Sequence, residues 1–208
     1  MTPDELRTLL AEERLLAILR GPDQARLFDC LRVLAEEGVR VVEVSLTSSG
    51  AIDVLAAATA ELGDVLVLGA GTVRTEQQVL DVRAAGATFV VTPAAGAGAD
   101  AAYRTGLPVL AGALTPSEVW AAHERGAAAV KLFPASLGGP AYLRALRDPF
   151  PEVPLVPVGG VDAEAAAGYL EAGAIAVGVG SPLLGDAVTG GDLAGLAARA
   201  RCFREAIS

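Results

Sequence analysis

Basic residues are scarce in this chain, and one kind is almost missing. Of the 16 lysines and arginines only Lys131 is a lysine, and 25 acidic residues bring the net charge to −9. Nucleic acid needs a basic face to neutralise its phosphates, so such a partner is excluded. With His123 as the one histidine, no multi-histidine metal cluster can form. His123 also falls on a predicted helix rather than at a strand end, so no Ser/His/Asp triad can be built around it. The two cysteines, Cys30 and Cys202, sit in amphipathic helical contexts without metal-ligand spacing, and read as thiols in a reducing cytosol. Aromatic residues make up 4% against 52% hydrophobic, so the core must be built of Ala, Val and Leu. No apolar run reaches the length of a membrane span, and the acidic opening Met1–Leu6 lacks the features of a signal peptide. A cytoplasmic protein of one domain, residues 1–208, is expected.

What the chain does have is a repeat of one unit, a short apolar run followed by a helical pattern. After a short N-terminal helix from Thr2 to Glu13, apolar runs begin at Leu15, Arg40, Asp64, Ala87, Pro108, Ala128, Pro154 and Ala174. Helices are predicted over Gln24–Glu37, Ala51–Leu62, Thr75–Ala85, a stretch ending near Arg104, Thr115–Arg125, Pro140–Arg147, Asp162–Ala172 and Asp192–Ala206. Thr115-Pro116-Ser117-Glu118 carries a capping-box pattern. Continuous rather than alternating apolar runs indicate strands buried on both faces, hence parallel. Eight such units predict an α/β fold, a (β/α)8 TIM barrel with a short N-terminal helix. The alternative is an open doubly wound sheet. Its dinucleotide signature is not completed, because Gly69-Ala70-Gly71 is followed by Arg at position 74.

Active sites of TIM barrels lie at the C-terminal strand ends. Lys131 stands there inside Ala128-Ala129-Val130-Lys131-Leu132-Phe133-Pro134-Ala135. A desolvated lysine can attack a carbonyl, which an arginine cannot; the alternative is a lysine whose stem is buried and whose head reaches water. Glu43 stands inside Val41-Val42-Glu43-Val44. A carboxylate in such a run is costly unless paired or functional, so it is either an ion-pair partner of Lys131 or Arg20 or a general acid/base with a raised pKa. An amine and a carboxylate in reach of each other have the parts for Schiff-base chemistry. Arg20, Thr47, Thr72, Thr92 and Pro93 end other strands, and Gly159-Gly160 with Gly178-Val179-Gly180-Ser181 end the last two. Glycines there either turn the chain or let backbone amides approach a phosphate. Trp120 reads as packing.

The segments Val42-Glu43-Val44, Gly69-Ala70-Gly71-Thr72-Val73, Thr115-Pro116-Ser117-Glu118, Lys131-Leu132-Phe133-Pro134-Ala135 and Val158-Gly159-Gly160 resemble those of the class I aldolases that cleave 2-keto-3-deoxy-6-phosphosugar acids. That family includes the phosphogluconate, phosphogalactonate and 4-hydroxy-2-oxoglutarate aldolases, and the resemblance runs from about Leu15 to about Leu184. It implies that Lys131 forms the Schiff base and Glu43 is the acid/base. It implies that Arg20 and Thr72 hold the keto-acid carboxylate, that Pro93 lines the methyl pocket, and that amides around Gly159, Gly160, Gly180 and Ser181 hold the phosphate. It implies a homotrimer with no metal and no organic cofactor, acting on a phosphorylated keto acid to give pyruvate and glyceraldehyde 3-phosphate. Thr47 stands where the phosphogluconate branch carries Arg, and Val158 where it carries Thr, so the resemblance leans toward the phosphogalactonate branch. Two further alternatives are a phospholigand-binding barrel without turnover and a phosphate-binding isomerase or synthase, which needs a metal cluster or a second base.

Overall fold

The Thr2 hydroxyl accepts from the Glu5 amide, and the Glu5 carboxylate accepts from the Thr2 amide. With Pro3 in the first turn, this reciprocal cap starts α1 (Pro3–Glu13) where the sequence predicts it. In the computed structural model, which covers residues 1–208, eight strands follow. They are β1 (Leu15–Leu19), β2 (Val41–Ser45), β3 (Val67–Gly71), β4 (Phe89–Val91), β5 (Val109–Ala113), β6 (Ala129–Leu132), β7 (Leu155–Pro157) and β8 (Val177–Val179). Every pairing is parallel, in the order β7-β6-β5-β4-β3-β2-β1-β8. A parallel bridge between Val158 and Gly178 joins the two outer strands. The sheet is therefore closed, and the open doubly wound alternative is excluded.

The outer ring consists of α2 (Gln24–Glu36), α3 (Ala51–Leu62), α4 (Glu76–Ala84), α5 (Ala97–Thr105), α6 (Pro116–Glu124), α7 (Gly139–Arg147), α8 (Ala163–Glu171), α9 (Ser181–Leu184) and α10 (Leu193–Ala206). The capping box predicted at Thr115 forms, and Thr75 with Gln78 makes another. Two strands start later than their apolar runs. Val65 and Leu66 still donate to Leu62 of the preceding helix, so β3 begins at Val67. Gly173 and Ala174 likewise donate to Leu170 and Tyr169, and β8 begins at Val177. Sequence reading did not foresee α9, because four residues are too few to show a helical period.

The alternation of side chains along each strand divides the apolar residues into two cores. An outer cluster of 53 buried residues lies between strands and helices and includes Val42, Val44, Leu68, Ala70, Val130 and Leu132. An inner cluster of 13 fills the barrel and includes Leu16, Val41, Phe89, Leu110, Ala129 and Val156. Leu6 and Leu10 of α1 belong to the inner cluster and are fully buried, so the N-terminal helix plugs the bottom of the barrel. Cys30 and Cys202 are free thiols, the first buried in the outer layer with its pKa pushed up to about 11 by desolvation. No helix is long and apolar enough to cross a membrane.

Truncating the plug should be costly while leaving the opposite face intact. Leu10→Ala is expected to lower unfolding stability by about 2–5 kcal/mol in denaturant titration, whereas exposed Leu80→Ala stays within about 0.5 kcal/mol. Equal losses would show that α1 does not seal the barrel.

Candidate active site

The same alternation that sends Val42 and Val44 outward sends Glu43 and Ser45 into the barrel, and Lys131 enters from β6 between outward Val130 and Leu132. Glu43 is 1% exposed and Lys131 7%. Glu43 pairs in register with Ile18 and Gly69, and Lys131 with Gly112 and Val156. Two glycines on β3 make room on this level. The Phe89 ring occupies the space a Cβ on Gly69 would need, and Glu43 Oε1 lies 2.5 Å from where a Cβ on Gly71 would stand. The carboxylate can enter the barrel because the neighbouring strand has no side chain at that point.

Glu43 takes part in none of the seven ion pairs, all of which lie among partly or fully exposed surface side chains. Its Oε2 is buried without a hydrogen-bond partner. The structural ion pair that the sequence left open is therefore not formed at contact distance. Burial pushes the Glu43 carboxyl above the ordinary carboxylate range, opposed by the positive charge of Lys131 and then of Arg20. The Lys131 ammonium sits 5.3 Å from the centre of the Phe133 ring, two residues further along the same strand direction.

Above this pair, three hydroxyls form a chain. Ser45 Oγ lies 2.9 Å from Thr47 Oγ1 and 3.0 Å from Thr72 Oγ1, and Ser45 is fully buried. Thr72 holds a left-handed backbone, with φ of 60°, which a β-branched residue adopts only under constraint. Sequence reading singled out Thr47 and Thr72 but missed Ser45, which links them. Its position two residues after Glu43, on the same strand face, was the available signal. Ser48 also acts locally, accepting from the Gly21 amide at 3.1 Å and tying the first two strand ends together.

A cavity of about 420 Å³ opens at the C-terminal end, lined by Arg20, Phe133, Val158, Gly159, Gly160, Gly180 and Ser181 among others. The backbone amides of Gly159, Gly160 and Gly180 donate to no other protein group. Gly159 and Gly160 have φ of 95° and 74°, so a side chain there is strained. The loop after Lys131 runs beside them, with the Ala135 amide donating to Val158 O and the Ser136 amide to Gly159 O. The Tyr169 hydroxyl braces that loop by donating to Ala135 O at 2.9 Å. The structure thus brings Arg20, Val158, Gly159, Gly160, Gly180 and Ser181 around one cavity. Pro93 faces a separate, smaller depression of about 210 Å³ with Val73, Arg74 and Gly98. His123 lies outside the barrel on α6, its ring 5.6 Å from that of Trp120.

The family model described as "Aldolase: KDPG and KHG aldolase" matches residues 6–198. The chain belongs to that family. It is 40% identical over 141 residues to the 2-dehydro-3-deoxy-phosphogluconate aldolase of Treponema pallidum, covering 67% of each chain. It is 35% identical over 173 residues to the 2-dehydro-3-deoxy-6-phosphogalactonate aldolase of Escherichia coli K12, covering 81% of this chain and 83% of that one. The structure of the KDPG aldolase of Legionella pneumophila, with pyruvate captured as a covalent carbinolamine intermediate, superposes with a TM-score of 0.88 at 26% identity, covering 97% of both chains. As a member of that family this protein is an aldolase, a carbon–carbon lyase, and the glycine-relieved Glu43–Lys131 level lies inside the barrel.

The desolvated carboxyl makes a pH-dependent mark on stability. Because its folded-state pKa is raised, the stability of the neutral form is fully present below the ordinary glutamate value of about 4.3 and is lost as pH rises through the raised value. Glu43→Gln stays neutral throughout. It is therefore expected to melt above the parent protein near neutral pH, with the gap closing as pH falls below about 4. A pH-independent gap in thermal melts would contradict the desolvation.

Proposed function

We propose that the protein is a Schiff-base aldolase that cleaves a 2-keto-3-deoxy-6-phosphosugar acid to pyruvate and glyceraldehyde 3-phosphate, with Lys131 as nucleophile and Glu43 as acid/base. One observation carries the reading. In an aldolase barrel, the only lysine of the chain points inward on the same face of the sheet as a buried carboxylate that has no contact partner. The relatives named for phosphogluconate and phosphogalactonate cleavage support the substrate class.

Lys131 attacks the C2 ketone, and loss of water from the carbinolamine gives a protonated imine. Glu43, through a water, takes the proton of the C4 hydroxyl. The C3–C4 bond breaks, its electrons pass to the imine as an enamine, and the aldehyde leaves. Glu43 returns a proton to C3, and hydrolysis of the imine frees pyruvate and Lys131. The imine is the electron sink, so the cycle needs neither a metal nor an organic cofactor. A carboxyl with a raised pKa suits a group that must take and return a proton near neutrality.

Thr72 and Arg20 would hold the carboxylate end, Pro93 the methyl group, and Thr47, where the phosphogluconate branch carries Arg, bears on substrate preference. The free amides of Gly159, Gly160 and Gly180, with Ser181, offer an anion a backbone cradle for the phosphate. Val158 turns an apolar side chain to the cavity where a hydroxyl would select among C4 epimers, which favours the galactonate configuration. The reading includes a cytoplasmic homotrimer, as the resemblance implies.

Treatment with pyruvate and borohydride should leave one stable adduct on the Lys131 peptide by mass spectrometry, and absence of that adduct sinks the proposal. Glu43→Gln should still form imine but lose about 10²–10⁴-fold in kcat. Full turnover by that variant would remove Glu43 from the mechanism. Between the two C4 epimers, a clear preference for the gluconate would overturn the part given to Val158 and Thr47.

A further inference from the structure

The wall of the cavity beyond β8 is not self-supporting. α9 has only four residues, and the chain after it passes through Gly185 in a left-handed conformation and a short 3₁₀ turn at Ala187–Thr189. Its inner side supplies Ser181, Leu184, Gly185 and Val188 to the cavity. From outside, Arg199 on α10 donates Nε to Leu183 O and Nη2 to Leu184 O, each at 2.7 Å. These are the last carbonyls of α9, which in a helix so short receive no donor from its own backbone. A Cβ on Gly185 would stand 2.6 Å from Nη2 of Arg199, so the guanidinium fills the space that this glycine leaves. Arg199 belongs to none of the seven ion pairs. A second guanidinium, that of Arg26 on α2, holds the next stretch by donating to Ala187 O at 3.1 Å and to Gly191 O.

We propose that Arg199 is a positioning residue for the phosphate end of the site, acting through α9 on the Gly180 amide and Ser181. The proposal rests on the aldolase reading and on the phosphate lying against those groups. The planar fork of Arg199 meets two successive carbonyls at once, which fixes both the direction and the height of α9 against the barrel rim. A lysine can reach one carbonyl but cannot set the pair. Lys131 and Glu43 stand on other strands and do not depend on this contact.

The experiment compares Arg199→Met and Arg199→Lys with the parent enzyme on the phosphorylated 2-keto-3-deoxy acid and on the same acid lacking its phosphate. Pyruvate–borohydride trapping at Lys131 is run alongside. Expected for Arg199→Met is a KM for the phosphorylated substrate raised about tenfold or more, with kcat/KM for the unphosphorylated acid and the trapping yield unchanged. Arg199→Lys should lie between the two. An equal loss on both substrates, or no change on either, overturns the proposal. If Arg199→Met does not fold, by circular dichroism, Arg199→Lys decides on the same criterion. Should the parent enzyme neither cleave the phosphorylated acid nor trap pyruvate, the aldolase reading itself falls. If the parent does both and the Arg199 variants keep its phosphate preference, only the positioning role is lost.

Discussion

A carboxyl group with one oxygen that receives no hydrogen bond lies inside this barrel, and the strands around it are built to leave it room. Glu43 is almost wholly buried, no cation touches it, and desolvation outweighs the field of Lys131 and Arg20. Leaving a polar group in that condition costs stability that the fold must recover elsewhere. It is recovered in the outer layer, where 53 buried residues lock strands to helices, and at the bottom, where Leu6 and Leu10 close the barrel. The glycines of β3 are the local condition. Gly69 admits Phe89 below, and Gly71 admits the Glu43 carboxylate above. Two glycines of one strand thus make room for packing at one level and for a buried carboxylate at the next.

The use of basic residues follows from the same constraint. Outside the barrel the basic side chains are arginines, and several serve the backbone rather than a carboxylate. Arg7 donates to Ala128 O, Arg14 to Ile207 O, Arg26 to Ala187 O and Arg199 to two carbonyls of α9. A guanidinium stays charged and offers a rigid fork, which suits this work. An ammonium is suited to chemistry instead, because its nitrogen can become a nucleophile. The single lysine is the one basic side chain placed inside the strands.

The barrel was legible because its signal is local. Each buried parallel strand writes itself as an apolar run, and Thr2, Thr75 and Thr115 start helices with caps formed within four residues. Glu43 and Lys131 were legible for the opposite reason, as charges where apolar residues belong. What stayed hidden depends on contacts far apart in sequence. Ser45 matters only because β2 and β3 bring it against Thr72, and Gly71 only because Glu43 lies 28 positions earlier in the chain on the adjacent strand. Pro93 likewise meets Val73, Arg74 and Gly98 around a depression that only the folded chain assembles. The register of loops, unlike that of strands, is not written in any repeat.

Charge also links Glu43 to the substrate of the proposed reaction. The free enzyme sets Glu43 by a balance in which burial raises its proton affinity and the two cations lower it. A phosphorylated keto acid, the substrate class of the proposed reaction, carries negative charge at both ends. By the Coulomb sign alone, those charges draw on Arg20 and Lys131 and push the Glu43 carboxyl further toward its protonated form. In the proposed cycle the carboxylate accepts a proton from the C4 hydroxyl, and the substrate's own charge would strengthen it as a base at that step. In the same cycle, departure of the aldehyde phosphate would withdraw that push and release the proton more readily to C3. On the proposed mechanism, arrival and loss of the phosphate end would favour the alternation between base and acid. That would require the phosphate end to be held firmly at the barrel rim, so on this mechanism the chemistry at Glu43 would be tied to the backbone of the last two strand ends.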